Sequence, residues 1–228
     1  WPLLFSQDLF MLQKVLKKIA VSLLLLSSAA ISGVEIGGTR LIYNSSGSQA
    51  AISVSNPDNT PYLIQSWVSS NENSDDGDSP FITTPPLFKL NPHAQNSVRV
   101  MLIGNSVPQD RESVYWLNIK SIPSSSADAK NELLIAVKSK MKVFYRPSGL
   151  KGDPSLAYQQ LTFSVSDGKL NVHNPSPYSV SLYHVKVNGK ELAKPPMVLP
   201  FQTVSLSQSA LTGGEISWRA INDFGGIT

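Results

Sequence analysis

The chain has 228 residues, a formal net charge of +3, 41% hydrophobic residues and 15% charged residues. That balance excludes a disordered or solvating polyelectrolyte chain and fits one or two folded domains. With no cysteine, thiol catalysis, a disulfide framework and cysteine-ligated metal sites are excluded.

The first residue is Trp1, so Met11 is the expected true start. Lys14, Lys17 and Lys18 form a basic stretch, Ile19–Leu26 is apolar, and Ser27–Ser32 is made mostly of small residues. This is the pattern of a secretory signal peptide, with Ala30 and Ser32 at the −3 and −1 positions before the cut and Gly33 as the new N-terminus. The apolar run is shorter than the roughly 20 residues a spanning helix needs. Residues 1–32 are therefore expected to be a removable leader and the rest to work outside the cytoplasm. Without the leader, 16 basic residues face 15 acidic ones, and that near-neutrality offers no case for a nucleic-acid partner.

From Gly33 onward the pattern is of short β-type runs between turn signals. Ala50–Ser55, Tyr62–Val68, Ser97–Leu102, Ser113–Ile119, Glu132–Tyr145, Leu161–Val165, Lys169–His173, Ser179–Val187 and Val204–Leu206 are predicted strands. Asp167-Gly168 and Asn188-Gly189 are predicted two-residue hairpin turns. No stretch shows helical periodicity. Many short strands at this spacing point to β-sandwiches. The Arg146–Pro154 stretch is the best candidate for a linker between two of them. Asn56-Pro57 with Pro61-Tyr62 is echoed by Asn174-Pro175 with Pro177-Tyr178. That echo points to the same strand-to-strand corner occurring in each half.

Catalytic chemistry finds no support in the residues. His93, His173 and His184 have no metal-ligand spacing and read as structural histidines. Asp75-Asp76-Gly77-Asp78 lacks the later glutamate of a calcium loop and reads as a solvated turn. Nucleophile-elbow, phosphate-loop and dinucleotide fingerprints are absent.

The segment Glu132–Tyr145 carries the most information. Leu133, Ile135 and Val137 alternate on one face, while Lys138, Lys140 and Lys142 occupy the other. Two readings stand. One is an ordinary strand, apolar inside and lysine outside. The other is an edge strand that offers apolar side chains and free backbone groups to a partner.

Six ordered blocks then carry a resemblance: GTRLIY (38–43), YLIQSW (62–67), TTPP (83–86), PQDRES (108–113), KVFYRP (142–147) and INDFG (221–225). Together they resemble the periplasmic pilus-assembly chaperones of the chaperone–usher pathway, and the short segment before the long strand resembles their short-loop subclass. The resemblance implies an all-β fold with two immunoglobulin-like β-sandwich domains in a boomerang arrangement. On that basis residues 33–147 form the first domain, 148–154 a linker and 155–228 the second. It implies a binding protein and not an enzyme. Such a protein donates an edge strand to pilus subunits, blocks their premature polymerisation and hands them to an outer-membrane usher, without nucleotide, cofactor or metal. When free, it could cap its own edge by dimerising.

Residue roles follow from the same resemblance. Arg40 and Lys142 match a cation pair that anchors the subunit's C-terminal carboxylate. Leu133, Ile135 and Val137 match the donated apolar side chains. Glu112, Arg146 and Asp223 match a charged cluster between the domains. The parity of Lys142 is opposite to that of the three apolar residues, so either the strand twists or bulges between them or the two tasks use different faces. A secreted adhesive pilus protein and a carbohydrate-binding domain are the alternatives. The first would favour a donor extension near Gly33 and cysteines, the second an exposed aromatic platform.

Overall fold

A computed structural model describes residues 33–75, 77–104, 106–125, 133–166, 168–207 and 214–228. The expected leader with Met11, the residues Asp76, Glu132 and Asp167, and the 126–132 stretch behind the short-loop expectation lie outside the described residues.

In chain order the first strands are β1 (Glu35–Ile36), β2 (Arg40–Asn44), β3 (Ala50–Ser55), β4 (Tyr62–Ser69), β5 (Phe81–Thr84), β6 (Leu87–Leu90), β7 (Gln95–Leu102), β8 (Ser113–Pro123) and β9 (Val137–Arg146). A 3₁₀ helix at Pro154–Gln160 precedes β10 (Thr162–Ser166), β11 (Lys169–His173), β12 (Val180–Val187), β13 (Lys190–Glu191), β14 (Met197–Val198), β15 (Thr203–Ser207) and β16 (Ile216–Ile221).

The first nine strands form two facing sheets, ordered β1-β3-β7-β5 and β2-β9-β8-β4-β6. Alternation with period two turns one face of each sheet inward. Ile52, Val54, Phe81, Val98 and Val100 meet Leu41, Tyr43, Ile64, Leu117, Met141 and Val143 in one buried core. The later strands form β10-β11-β15 and β13-β12-β14, with β16 also on β12, around a second core that includes Leu170, Val172, Val185 and Val198. Two such sandwiches are the expected all-β, immunoglobulin-like class.

Asn188 and Gly189 both adopt positive φ, 51° and 76°. They close the β12–β13 hairpin, in which Val187 pairs with Lys190. That is the geometry a two-residue turn requires. Between the sandwiches, Gly149 and Gly152 also take positive φ, and the Asp153 side chain caps the 3₁₀ helix by accepting from the Ser155 amide at 2.8 Å.

The Asn-Pro echo has a structural cause. Asn56 and Asn174 are both buried. Asn56 Nδ2 donates to the carbonyls of Thr60 (2.9 Å) and Asn91 (3.0 Å), and its Oδ1 accepts from the Asp58 amide. Asn174 repeats this with Tyr178 (2.7 Å), Val198 (3.1 Å) and the Ser176 amide. One amide side chain thus folds the corner and ties it to the facing strand in each half. Asn174→Ala removes the amide donor to both carbonyls and the acceptor of the Ser176 amide within a buried corner. It is expected to cost about 2–4 kcal/mol in urea unfolding; a change within about 0.5 kcal/mol would contradict this role.

Candidate functional site

The predicted strand over 132–145 is corrected by the structure: its ladder begins at Val137. The reason is the length of its neighbours. Strand β8 pairs β9 antiparallel from Ser113↔Tyr145 to Ser121↔Val137, and its last residues, Ile122 and Pro123, pair only with β4. Strand β2 pairs β9 in parallel, but only from Arg40↔Lys142 to Asn44↔Arg146. Among the described residues, Val137–Met141 therefore has one paired edge and one open edge. Leu133 and Ile135 precede the ladder and are 83% and 66% exposed, while Val137, at its start, is 55% exposed.

The β8–β9 register runs through Val137–Tyr145 without a bulge. Met141, Val143 and Tyr145 point into the core, so Val137 shares the core-side parity and Lys138, Lys140 and Lys142 point outward. Of the alternatives left open by parity, this is the second: the apolar residue and the lysines use different faces.

On the outward face Arg40 and Lys142 are register neighbours. The Arg40 guanidinium stands 5.5 Å from the Phe144 ring centre, and the Lys142 ammonium stands 5.5 Å from that of Trp116. Arg40 Nη1 donates to the Ile221 carbonyl at 3.1 Å, whereas its Nε is buried with no hydrogen-bond partner. Among the described residues, no carboxylate lies within ion-pair distance of either cation. Burial pulls the Lys142 ammonium below its ordinary value, and repulsion from Arg40 adds to this. Arg40 is likewise lowered by burial, with Asp223 opposing. Two partly desolvated cations side by side make a ready site for an anion.

The cleft beside Arg40 has a volume of about 170 Å³ and is also lined by Arg146, Tyr178, Asp223 and Phe224. Here Glu112, Arg146 and Asp223 come together. Arg146 Nε donates to Glu112 Oε1 at 2.5 Å, and its Nη1 and Nη2 donate to the two Asp223 oxygens at 2.7 and 2.9 Å. Glu112 Oε2 accepts from the Ser179 amide at 2.8 Å, and the Glu112 amide donates to the Pro177 carbonyl. The Asn222 side chain folds the INDFG turn by accepting from the Phe224 and Gly226 amides, which presents Asp223. Burial pushes the Glu112 carboxyl up, and Arg146 and Ser179 reverse this only in part. Burial alone would lower Arg146, but two carboxylates hold it above its ordinary value. Both shifts are upward, but the charged form is disfavoured at Glu112 and favoured at Arg146, because Arg146 has two carboxylate partners and Glu112 has one cation.

Sequence reasoning missed the rings beneath the cations. Trp116 has the outward parity of β8, which was the available signal, but its pairing with Lys142 depends on register. The histidines have local roles: His93 meets Asn59, His173 meets Thr203 and His184 pairs with Glu191. Among the described residues, no three acidic or histidine side chains are grouped to hold a metal.

The profile of pili and flagellar-assembly chaperones, PapD N-terminal domain, matches residues 33–151, and that of the pili assembly chaperone PapD, C-terminal domain, matches 156–228. The chain belongs to the pili assembly chaperone family. It is 42% identical over 212 residues to the probable fimbrial chaperone LpfB of Escherichia coli O157:H7, covering 91% of this chain and 90% of that one. It is 36% identical over 209 residues to the chaperone protein FimC of Escherichia coli K12, covering 90% and 86%. A chain of the solved Salmonella enterica SafA pilin complex with the SafB chaperone superposes with a TM-score of 0.78 at 35% identity, covering 88% of this chain and 95% of that chain.

Two outcomes follow. Glu112→Ala takes the acceptor from the half-buried Arg146 Nε and from the Ser179 amide and is expected to cost about 3 kcal/mol. Asp223→Ala, at a more exposed partner, is expected to cost no more than about 1 kcal/mol; calorimetry giving the reverse order would contradict this ranking. Lys142→Met removes a desolvated cation, so the free chain should unfold at the same urea concentration or higher. Because the folded lysine is held below its ordinary value of 10.5, the native state binds fewer protons than the unfolded chain just below that pH. Wild-type stability should then rise towards the variant's as pH climbs to that value. A variant less stable at neutral pH would contradict the account.

Proposed function

We propose that this chain is a periplasmic chaperone for pilus subunits that works by lending them the open edge of β9. One observation carries the reading: the half-paired β9 edge runs into a pair of partly desolvated cations with no carboxylate within ion-pair distance among the described residues. A subunit lacking one strand could pair its backbone with Val137–Met141, with Leu133, Ile135 and Val137 filling its open groove. Its C-terminal carboxylate would then settle between Arg40 and Lys142, fixing the register of the added strand.

The driving force is completion of a sandwich, so no nucleotide is required and the protein acts by binding. Exported subunits and an outer-membrane usher as recipient place the work in the periplasm. The same open edge can accept a second copy of this chain when no subunit is present. Arg146, through Glu112 and Asp223, would hold the two sandwiches at the angle that forms the cleft.

The test is periplasmic co-expression with fimbrial subunits and recovery of a 1:1 complex. Losing one partner of such an anchored charge should weaken the complex by about 30- to 5,000-fold. Lys142→Ala and Arg40→Ala should therefore lose it while remaining folded. Equal recovery from the folded variants would overturn the anchor.

A further inference from the structure

The outward face of β9 faces a charge problem. Lys138, Lys140 and Lys142 alternate along it. Across the ladder Lys138 sits directly opposite Lys120, and like charges opposed in this way destabilise a sheet. The turn between β4 and β5 meets these lysines. Asp75 Oδ2 accepts from Lys138 Nζ at 2.5 Å, and Asp75 Oδ1 lies 3.3 Å from Lys140 Nζ. Lys140 Nζ also donates to the Ser74 carbonyl at 3.3 Å and to the Glu72 carbonyl. The stretch held in this way is the half of β9 that lacks a strand on one side.

We propose that Asp75 is a positioning residue: it latches the lysine face of β9 and keeps the open edge extended before a partner strand arrives. The inference rests on the strand-lending reading above. The latch grips the outward face at Lys138 and Lys140, whereas the added strand would use the edge, the core-side face and, at its terminal carboxylate, Lys142, so both can be in place at once. An edge ordered in advance loses less conformational entropy on pairing.

The test compares wild type, Asp75→Asn, the restoring variant Asp75→Glu and the charge-matched control Asp78→Asn. Amide exchange of Val137–Met141 in the free chain should speed up about two- to five-fold in Asp75→Asn, the range expected of an exposed ion pair. Affinity for a pilus subunit that co-purifies with wild type should fall by a similar factor. Asp75→Glu should restore both, Asp78→Asn should change neither, and the midpoint of global unfolding should stay put. Unchanged exchange overturns the latch. Faster exchange with undiminished affinity overturns its positioning role. If wild type captures no subunit, the strand-lending reading fails and the exchange result alone decides whether the latch exists.

Discussion

A β-strand pairs the backbone groups of both its edges only with a hydrogen-bonding neighbour on each side, and β9 has two neighbours for only part of its length. Strand β2 stops short because its parallel register starts at Arg40↔Lys142. Everything proposed for this protein depends on that early stop. The open backbone, the exposed apolar residues just upstream and the cation pair at the point of closure are consecutive along one strand. Open edges of this kind invite association, and the outward lysines are a common means of limiting which partners can join.

The two charge clusters on either side of β2 and β9 differ in kind. Arg146 is saturated, with two carboxylates and the Tyr178 ring around it. Arg40 and Lys142 have rings beneath them and no carboxylate within ion-pair distance among the described residues. The first arrangement is that of a structural joint, with Glu112 buried and bonded to backbone from the second sandwich. The second keeps a desolvation cost that Asp223 and Glu72 offset only from a distance, and an anion placed between the two cations would lower it further.

Much of the fold was legible because it is written in local alternation. Strands β3 and β11 fall on their predicted residues, and the Asn188-Gly189 turn follows from the φ values it demands. The paired Asn-Pro corners were visible as an echo, though not the hydrogen bonds behind it. Strands β1, β2, β5, β6, β13, β14 and β16 were not among the predicted strands; five of these have only two to four residues, which form a strand only when a distant neighbour supplies the ladder. The same dependence misplaced the start of β9: its β-type pattern continues upstream, but pairing ends with β8. At the site, Arg40, Lys142, Glu112, Arg146 and Asp223 were named through resemblance. Their contacts, the rings beneath the cations and the Asp75 clasp depend on register and loop path, which no local pattern encodes.

The most direct measurement of the central claim is amide hydrogen exchange across Leu133–Met141, compared between the free chain and a purified complex with a pilus subunit. Strand lending predicts strong new protection over Val137–Met141, extending to Leu133 and Ile135 as they become ordered. A complex that forms while this segment exchanges as fast as in the free chain would contradict it.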